Sequence, residues 1–332
     1  MTRLQSGARS LEPALTVAVG IFSTPVWTLD LKYVDQLRAR FPDVRFIQAY
    51  SHAELGDALE HADAAFSSMV RAETFARARR LRWIHSSAAG VGASLFPALI
   101  ESDVVLTNSR GVQSASIAEH ILAAVLAWRR RLHVAVRRQA SKTWAQEELS
   151  TLDAPPLSET RVLIVGMGSI GRETARLFER LGVRVDGLGR RARDGQAGVE
   201  SLPHVLPHAD AVIITAPHTT ETDRLFDDRM LARMKAGSLL VNVGRGRIVD
   251  EPALVEALKQ GRPGGAALDV FAREPLAPDS PLWEMENVLV TPHIAGFGAR
   301  FWEGIVELFA RNLERWRKDE PLKNVVDKHR GY

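Results

Sequence analysis

The 332-residue sequence predicts an α/β protein with two doubly wound, parallel-sheet domains. Two observations predict this class. Short apolar segments alternate with helical segments along most of the chain, which is the pattern of parallel strands joined by helical crossovers. The alternation also occurs in two series, separated by a polar, proline-containing connector at residues 152–160.

The first series predicts a flavodoxin-like domain. Its strands are expected at residues 16–22, 43–50, 62–68, 81–87 and 103–108, with helices at 29–41 and 72–80. A single long helix is then expected from Ser114 through Arg138. The arginines at its end favour a solvated or subunit-facing helix surface, with phosphate binding as the alternative.

The second series predicts six strands, the pattern of a Rossmann nucleotide-binding sheet. They are expected at residues 161–168, 183–189, 210–217, 238–244, 265–270 and 287–292, with helices at 172–182 and 251–261. A last helix at 301–316 follows this sheet and is expected to pack back on the N-terminal domain. The predicted domains are therefore 1–108 with 297–332, and 109–296.

The composition indicates an ordinary globular protein, with 45% hydrophobic and 25% charged residues. The net charge is only +3, which argues against a nucleic-acid partner. The absence of cysteine excludes disulfides and thiolate nucleophiles and agrees with a cytoplasmic location. No segment approaches the ~20 apolar residues that a membrane span needs. The run at 14–22 favours a first strand over a signal peptide, because no small-x-small cleavage site follows it.

The segment VGMGSIG directly follows an apolar strand and opens an amphipathic helix, the setting in which G-x-G-x-x-G predicts a dinucleotide site. Gly166 permits a tight turn, Gly168 lets a pyrophosphate approach the backbone, and Gly171 allows close helix–strand packing. The N–H groups of Ser169 and Ile170 are expected to face the phosphates. A tight turn without a ligand is the alternative.

The stretch DGLGRRARDG at residues 186–195 has arginines where many dinucleotide sites have a ribose-binding acid. Asp186 lies at a suitable distance from the glycines but inside the predicted strand, so its carboxylate should not reach a ribose. Arg190, Arg191 and, less favoured, Arg193 follow the strand and suit a 2′-phosphate. The sequence therefore favours NADP, with NAD possible and an exposed basic loop as the alternative.

Three later segments carry polar residues at predicted strand ends, where open parallel sheets bind ligands. Arg245 lies in VNVGRG, Asp269 and Glu274 in LDVFAREPL, and His293 in TPHIAG. Each of these residue types has a different role in acid–base catalysis on a carboxylate substrate. Histidine exchanges a proton near neutral pH, a carboxylate orients it, and arginine clamps a substrate carboxylate.

These motifs, in this order, resemble the D-isomer-specific 2-hydroxyacid dehydrogenase family over most of the chain, from LRWIHSSAAGVG to NVVDKHRGY. The resemblance implies that Arg245 binds the carboxylate and carbonyl of a 2-oxo acid and that His293 protonates the carbonyl oxygen. Glu274 would hydrogen-bond His293, and Asp269 would lie near the nicotinamide. A formate dehydrogenase of this family would be expected to have glutamine at position 274. Glu274 therefore favours a 2-oxo acid reductase.

The resemblance further implies a substrate-carboxylate cradle made by the N–H groups of Ala89, Gly90 and Val91. Gly92 stands where the family usually has an acid. The neighbouring His85 is expected either to contact substrate or to be structural. The residues implied to line the cofactor cleft are Pro217, Thr222 and Val243.

The expected activity is reduction of a small 2-oxo acid, glyoxylate- or hydroxypyruvate-like, to a D-2-hydroxy acid with NADPH. The side chain of the substrate is not predicted, and no histidine or acid cluster has metal-ligand spacing. Resemblance also implies a homodimer. Trp144 would either pack within its own chain or reach a neighbouring subunit's active site. The alternative function is a non-catalytic, NAD(H)-binding regulator, like the corepressors that resemble these dehydrogenases.

Overall fold

The computed structural model describes residues 15–150, 155–192 and 197–331. The chain forms two compact units, one comprising the chain up to Val112 and from Trp302 onward, and the other Gln113–Phe301. The divisions predicted from the sequence lie a few residues earlier, after residues 108 and 296.

Strands and helices alternate throughout the described ranges. The strands are β1 Leu15–Gly20, β2 Val44–Gln48, β3 Ala64–Ser67, β4 Trp83–Ser86, β5 Val105–Asn108, β6 Arg161–Val165, β7 Arg184–Gly189, β8 Ala197–Gly198, β9 Ala211–Ile214, β10 Leu239–Asn242, β11 Gly265–Leu268 and β12 Val288–Val290. The α-helices are α1 Leu31–Arg40, α2 His52–Leu59, α3 Ala72–Phe75, α4 Pro97–Ile100, α5 Ser114–Arg129, α6 Leu132–Ala140, α7 Gln146–Ser150, α8 Ser169–Arg180, α9 Leu202–Val205, α10 Asp228–Ala232, α11 Glu251–Lys259 and α12 Phe301–Arg317. No helix within these ranges is long and apolar enough to cross a membrane.

The first unit is built on a parallel sheet in the order β2-β1-β3-β4-β5. Its interior strand β1, between β2 and β3, is buried along its whole length, because helices cover both faces of such a sheet. The last helix packs on this sheet as the sequence predicted. Phe309 of α12 stacks on Phe66 of β3 at 4.3 Å between ring centroids and on Trp83 of β4 at 5.4 Å.

The second unit is built on a parallel sheet in the order β12-β11-β10-β9-β6-β7-β8. The strand order reverses at β6, which lies between β9 and β7. In doubly wound sheets ligands bind outside the carboxyl ends of the strands at such a reversal. The two parallel sheets confirm the predicted fold class, although the two-residue strand β8 was not predicted.

The expected single helix from Ser114 to Arg138 is wrong, because the chain breaks between α5 and α6. Arg131 has a left-handed backbone with φ of 50°, which ends the α-helical path. The turn is held locally: His133 stacks on Trp128 at 5.2 Å, and its Nδ1 donates to the carbonyl of Ala127 at 3.1 Å.

The helix expected at residues 72–80 is also wrong in extent, since α3 ends at Phe75. Beyond α3, Arg77 pairs with Asp57 of α2 and with Glu60, the residue that follows α2. Its Nε lies 3.0 Å from Oε1 of Glu60. The segment therefore turns toward α2 instead of continuing its helix. The first residues of the predicted connector at 152–160 lie outside the described ranges.

Candidate active site

The glycine loop joins β6 to α8, and two of its glycines are required by packing. Gly166 has φ of 108°, and a Cβ there would lie 2.5 Å from the backbone nitrogen of Ala216. A Cβ on Gly171 would lie 2.2 Å from the carbonyl oxygen of Gly166. Any side chain at these positions would therefore push α8 away from the sheet.

Gly168 differs from its two neighbours, because a Cβ built on it would meet no atom within 4 Å. It is the N-cap residue of α8 and supplies no side-chain cap. The N–H groups of the first turn, including those of Ser169 and Ile170, therefore have no side-chain acceptor, and the helix dipole adds positive potential there. An open backbone surface at an uncapped helix N-terminus fits a dinucleotide pyrophosphate.

The tip of β7 bears the arginines that the sequence singled out. Asp186 lies within β7 and forms an ion pair with Arg161 of β6, so its carboxylate is engaged inside the sheet. Arg190 and Arg191 follow the strand and are both exposed. Arg193 lies outside the described residues.

Arg190 has a protein partner of its own. Its Nε and Nη2 donate to Oε2 and Oε1 of Glu221 at 2.7 and 2.6 Å. Glu221 belongs to the loop that follows β9. The sequence reasoning did not foresee this acid beside the arginines.

Three predicted cofactor residues lie at the carboxyl ends of β9 and β10. Thr222 closes the loop after β9, because its hydroxyl donates to the carbonyl of Pro217 and accepts from the N–H of Thr219, both at 2.8 Å. Val243 is buried directly after β10, and its N–H donates to the carbonyl of Ile214 at 3.2 Å.

Arg245 lies in a tight turn that Asn242, the last residue of β10, holds in place. The Asn242 side chain accepts from the N–H of Gly244 and donates to the carbonyl of Arg245, both at 3.1 Å. Gly246 must be glycine, since a Cβ there would lie 1.8 Å from the carbonyl carbon of Phe271. The turn leaves the Arg245 side chain exposed.

His293 and Glu274 form a hydrogen-bonded pair beside this turn, with Nδ1 2.7 Å from Oε2. The other carboxylate oxygen of Glu274 accepts from the N–H of Phe271 at 3.0 Å. Burial alone would raise the pKa of Glu274. The hydrogen bonds from His293 and Phe271, with the charges of His293 and Arg245, outweigh it and lower that pKa. Glu274 is therefore a carboxylate near neutral pH.

Asp269, the residue after β11, is 3% exposed and anchors the segment that carries His293. Its Oδ1 accepts from the Thr291 hydroxyl at 2.6 Å and from the N–H of Ile294 at 2.9 Å, and its Oδ2 accepts from the N–H of Ala295 at 3.0 Å. Its backbone carbonyl accepts from the N–H of His293 at 2.9 Å. These bonds hold His293 in a left-handed conformation with φ of 54°.

A second histidine, His120 of α5, lies behind this anchor. Its Nε2 is 3.3 Å from the Thr291 hydroxyl and 3.9 Å from Oδ1 of Asp269. Asp269 and Thr291 are far from His120 in the sequence, and only the folded second unit brings α5 next to the loop after β12. Its proximity to Asp269 is thus a feature that the sequence reasoning missed.

The predicted carboxylate cradle belongs to the first unit, in the loop after β4. Within the described part of the chain, the N–H groups of Ala89, Gly90 and Val91 donate no hydrogen bond. The carbonyl of Ala89 is fixed by the side-chain amide of Asn108 at 2.7 Å. The loop therefore offers three backbone donors on a positioned segment, as an anion cradle requires.

His85 is structural. It is fully buried, its Nδ1 lies 2.8 Å from the Thr107 hydroxyl, and burial lowers its pKa to about 3. It packs against Phe66 and Phe309 and has no surface to offer a substrate. The alternative of a substrate contact is therefore wrong.

Trp144 does not pack within its own chain, since it is 88% exposed. Its indole N–H donates to the side-chain oxygen of Gln146 at 3.2 Å. The intrachain packing alternative is therefore wrong. Among the described residues, no group of three or more histidines and acids is arranged to hold a metal.

Comparison with known proteins places this site in a family. Residues 122–295 match the model described as D-isomer specific 2-hydroxyacid dehydrogenase, NAD binding domain. Glyoxylate reductase of Korarchaeum cryptofilum is 34% identical over 265 residues, which cover 78% of this chain and 80% of that protein.

Two solved structures resemble the whole fold. A D-isomer specific 2-hydroxyacid dehydrogenase from Xanthobacter autotrophicus Py2, in complex with NADPH and MES, is 31% identical with a TM-score of 0.80 over 96% of this chain and 100% of that one. An NADPH-dependent glyoxylate/hydroxypyruvate reductase from Sinorhizobium meliloti, in complex with NADP and sulfate, is 27% identical with a TM-score of 0.81 over the same shares. The resemblance drawn from the motifs is confirmed: the chain belongs to the D-isomer specific 2-hydroxyacid dehydrogenase family and carries its NAD-binding domain.

Proposed function

We propose that the protein reduces a small 2-oxo acid to a D-2-hydroxy acid and prefers NADPH to NADH. One observation carries the proposal. The His293–Glu274 pair, 2.7 Å between Nδ1 and Oε2, lies with Arg245 at the carboxyl ends of β10–β12, on the sheet edge that also bears the glycine loop. An acid–base pair and a carboxylate clamp on one sheet edge with a dinucleotide loop suit hydride transfer to an oxo acid.

Each residue of the pair has a distinct task in this proposal. When bound, the reduced nicotinamide supplies hydride to the C2 carbonyl. Glu274 holds Nδ1 of His293, so Nε2 is the nitrogen from which a proton passes to the carbonyl oxygen. Asp269 acts by holding the His293 segment, and its predicted nearness to the nicotinamide stays a prediction.

Substrate recognition is assigned to two carboxylate binders. The guanidinium of Arg245 can take the carboxylate in a bidentate fashion. The N–H groups of Ala89, Gly90 and Val91 stay a predicted carboxylate cradle on the first unit. The names of the relatives favour small substrates such as glyoxylate and hydroxypyruvate. The NADPH and NADP in two related structures, with Arg190 and Arg191 here, favour a 2′-phosphorylated cofactor.

We expect NADPH to be oxidised when the protein is mixed with glyoxylate or hydroxypyruvate, and more slowly with NADH. Absorbance at the nicotinamide band measures both rates, and protein without oxo acid is the control. A panel that adds larger aliphatic and aromatic 2-oxo acids would define the substrate side chain. Tight NADPH binding without oxidation by any member would contradict catalysis and favour the regulatory alternative.

We also propose that the protein is a homodimer. Trp144, Leu132 and Val136 are large apolar side chains exposed on or beside α6 at 88, 52 and 62%, and exposed apolar surface of this kind favours a subunit interface. We expect sedimentation equilibrium to give twice the 36.6 kDa chain mass, and Trp144→Ala to shift the equilibrium toward the monomer. A wild-type protein that sediments as a monomer at micromolar concentration would contradict this.

A further inference from the structure

The Arg190–Glu221 pair spans the strand that leads into the glycine loop. Arg190 follows β7 and Glu221 lies in the loop after β9, and these two strands flank β6 on either side. The pair is bidentate, at 2.7 and 2.6 Å. An acid is thereby held on one of the two guanidinium groups that the sequence favours for a 2′-phosphate.

We propose that Glu221 is a specificity-determining residue that weakens selection of the 2′-phosphorylated cofactor by competing for Arg190. The inference rests on the proposed NADP(H) cofactor. A carboxylate and a phosphate both match the guanidinium fork, so one Arg190 cannot serve both in the same geometry. A phosphate dianion brought to this arginine would also be repelled by the Glu221 carboxylate.

The charge of Glu221 is present under physiological conditions. The hydrogen bonds from Arg190 lower the pKa of Glu221, and the charges of Arg190 and Arg191 lower it further. Removing the charge therefore requires a substitution, not a modest change of pH. This makes Glu221→Gln, which keeps the side-chain shape, a direct test of the charge.

The competition should be moderate, because the two side chains are 39 and 55% exposed. Exposed ion pairs contribute little to the stability of a protein and open easily. The neighbouring Arg191 is exposed and makes no hydrogen bond to the described part of the chain. Arg191 can therefore hold a phosphate while the Arg190–Glu221 pair opens. Glu221 then lowers the preference for NADPH without abolishing it.

The test is equilibrium titration of the full-length protein with NADPH and with NADH, followed by nicotinamide fluorescence. We expect Glu221→Gln to tighten NADPH binding by about 3- to 10-fold, and NADH binding to change by less than about 2-fold, as removal of one exposed like charge predicts. Glu256→Gln on α11, an exposed glutamate paired with Lys259, is the matched control and should change neither Kd.

Arg190→Ala tests whether the effect passes through the arginine. It should weaken NADPH binding, and Glu221→Gln added to it should tighten NADPH binding much less than in the wild type. High salt should shrink the effect of Glu221→Gln, because the phosphate and carboxylate are both exposed. The inference would be overturned if Glu221→Gln left the ratio of the NADPH and NADH Kd values unchanged, whether neither Kd changed or both fell equally.

The result is separable from the fate of the proposed function, because binding is measured without an oxo acid. Selective tightening of NADPH with no turnover of any 2-oxo acid would support the role of Glu221 and contradict the proposed catalysis. Turnover of a 2-oxo acid, with an NADPH-to-NADH ratio of Kd values that Glu221→Gln does not change, would support the proposed catalysis and contradict the role of Glu221. Failure to bind either dinucleotide would contradict both.

Discussion

Replacing His293 by alanine is expected to lower kcat for 2-oxo acid reduction by about 10²- to 10⁴-fold, the usual contribution of a positioned general acid. Nε2 of His293 is the proposed source of the proton, and water in its place would not be oriented toward the carbonyl oxygen. Stopped-flow or steady-state oxidation of NADPH measures the change. The Kd for NADPH should stay within about 3-fold, since general-acid catalysis acts in the transition state.

The matched control is Glu274→Gln, which keeps a hydrogen-bond acceptor for Nδ1 but removes the carboxylate charge. Its kcat should fall less than that of His293→Ala, because the histidine keeps its acceptor at Nδ1 and loses only the carboxylate charge beside it. As the pH falls, the His293–Glu274 hydrogen bond of the wild type should persist until Glu274 is protonated. Because the pKa of Glu274 is lowered, this happens below the usual range of a glutamate. A kcat of His293→Ala within about 3-fold of wild type would remove His293 from the mechanism.

Replacing Arg245 by alanine is expected to reduce kcat/KM by about 30- to 5,000-fold, because losing one partner of a charge pair that the bound substrate shields from water costs about 2–5 kcal/mol. The reason is that a bound 2-oxo acid would keep a desolvated carboxylate without its guanidinium. Arg245→Lys should recover only part of the loss, since lysine has the charge without the planar fork. Steady-state kinetics across substrate concentrations separate KM from kcat.

Arg247→Ala is the matched control for Arg245→Ala. Arg247 lies two residues later and is 61% exposed, with its Nε 3.1 Å from Oδ1 of Asp223. Its loss should change kcat/KM by less than about 3-fold, as for most exposed ion pairs. Equal losses in the two variants would show that positive charge in this loop, and not the placement of Arg245, accounts for the effect.

The sequence was most informative where one residue type has one physical use. Apolar runs without polar interruption predicted the buried parallel strands, and Gly166 and Gly171 predicted contacts that only glycine permits. The strand ends likewise indicated Arg245, Glu274 and His293, because parallel strands bring their carboxyl ends to one edge.

The sequence was least informative where folding joins distant segments. Helical periodicity continues through Arg131, so the pattern contained no sign of the break between α5 and α6. Glu221 and Arg190 are brought together by sheet order, and His120 and Asp269 by packing of α5. A single sequence carries no local signal for such pairs.

The most direct test of the account follows the transferred hydrogen. NADPH that has deuterium in both C4 positions of its nicotinamide should convert hydroxypyruvate to D-glycerate with one deuterium at C2, detected by mass spectrometry and chiral chromatography. Wild-type protein should form this product in equal amount to the NADPH consumed, and His293→Ala should form almost none. A product without deuterium, an L-configured product, or full activity of His293→Ala would contradict hydride transfer with His293 as the acid.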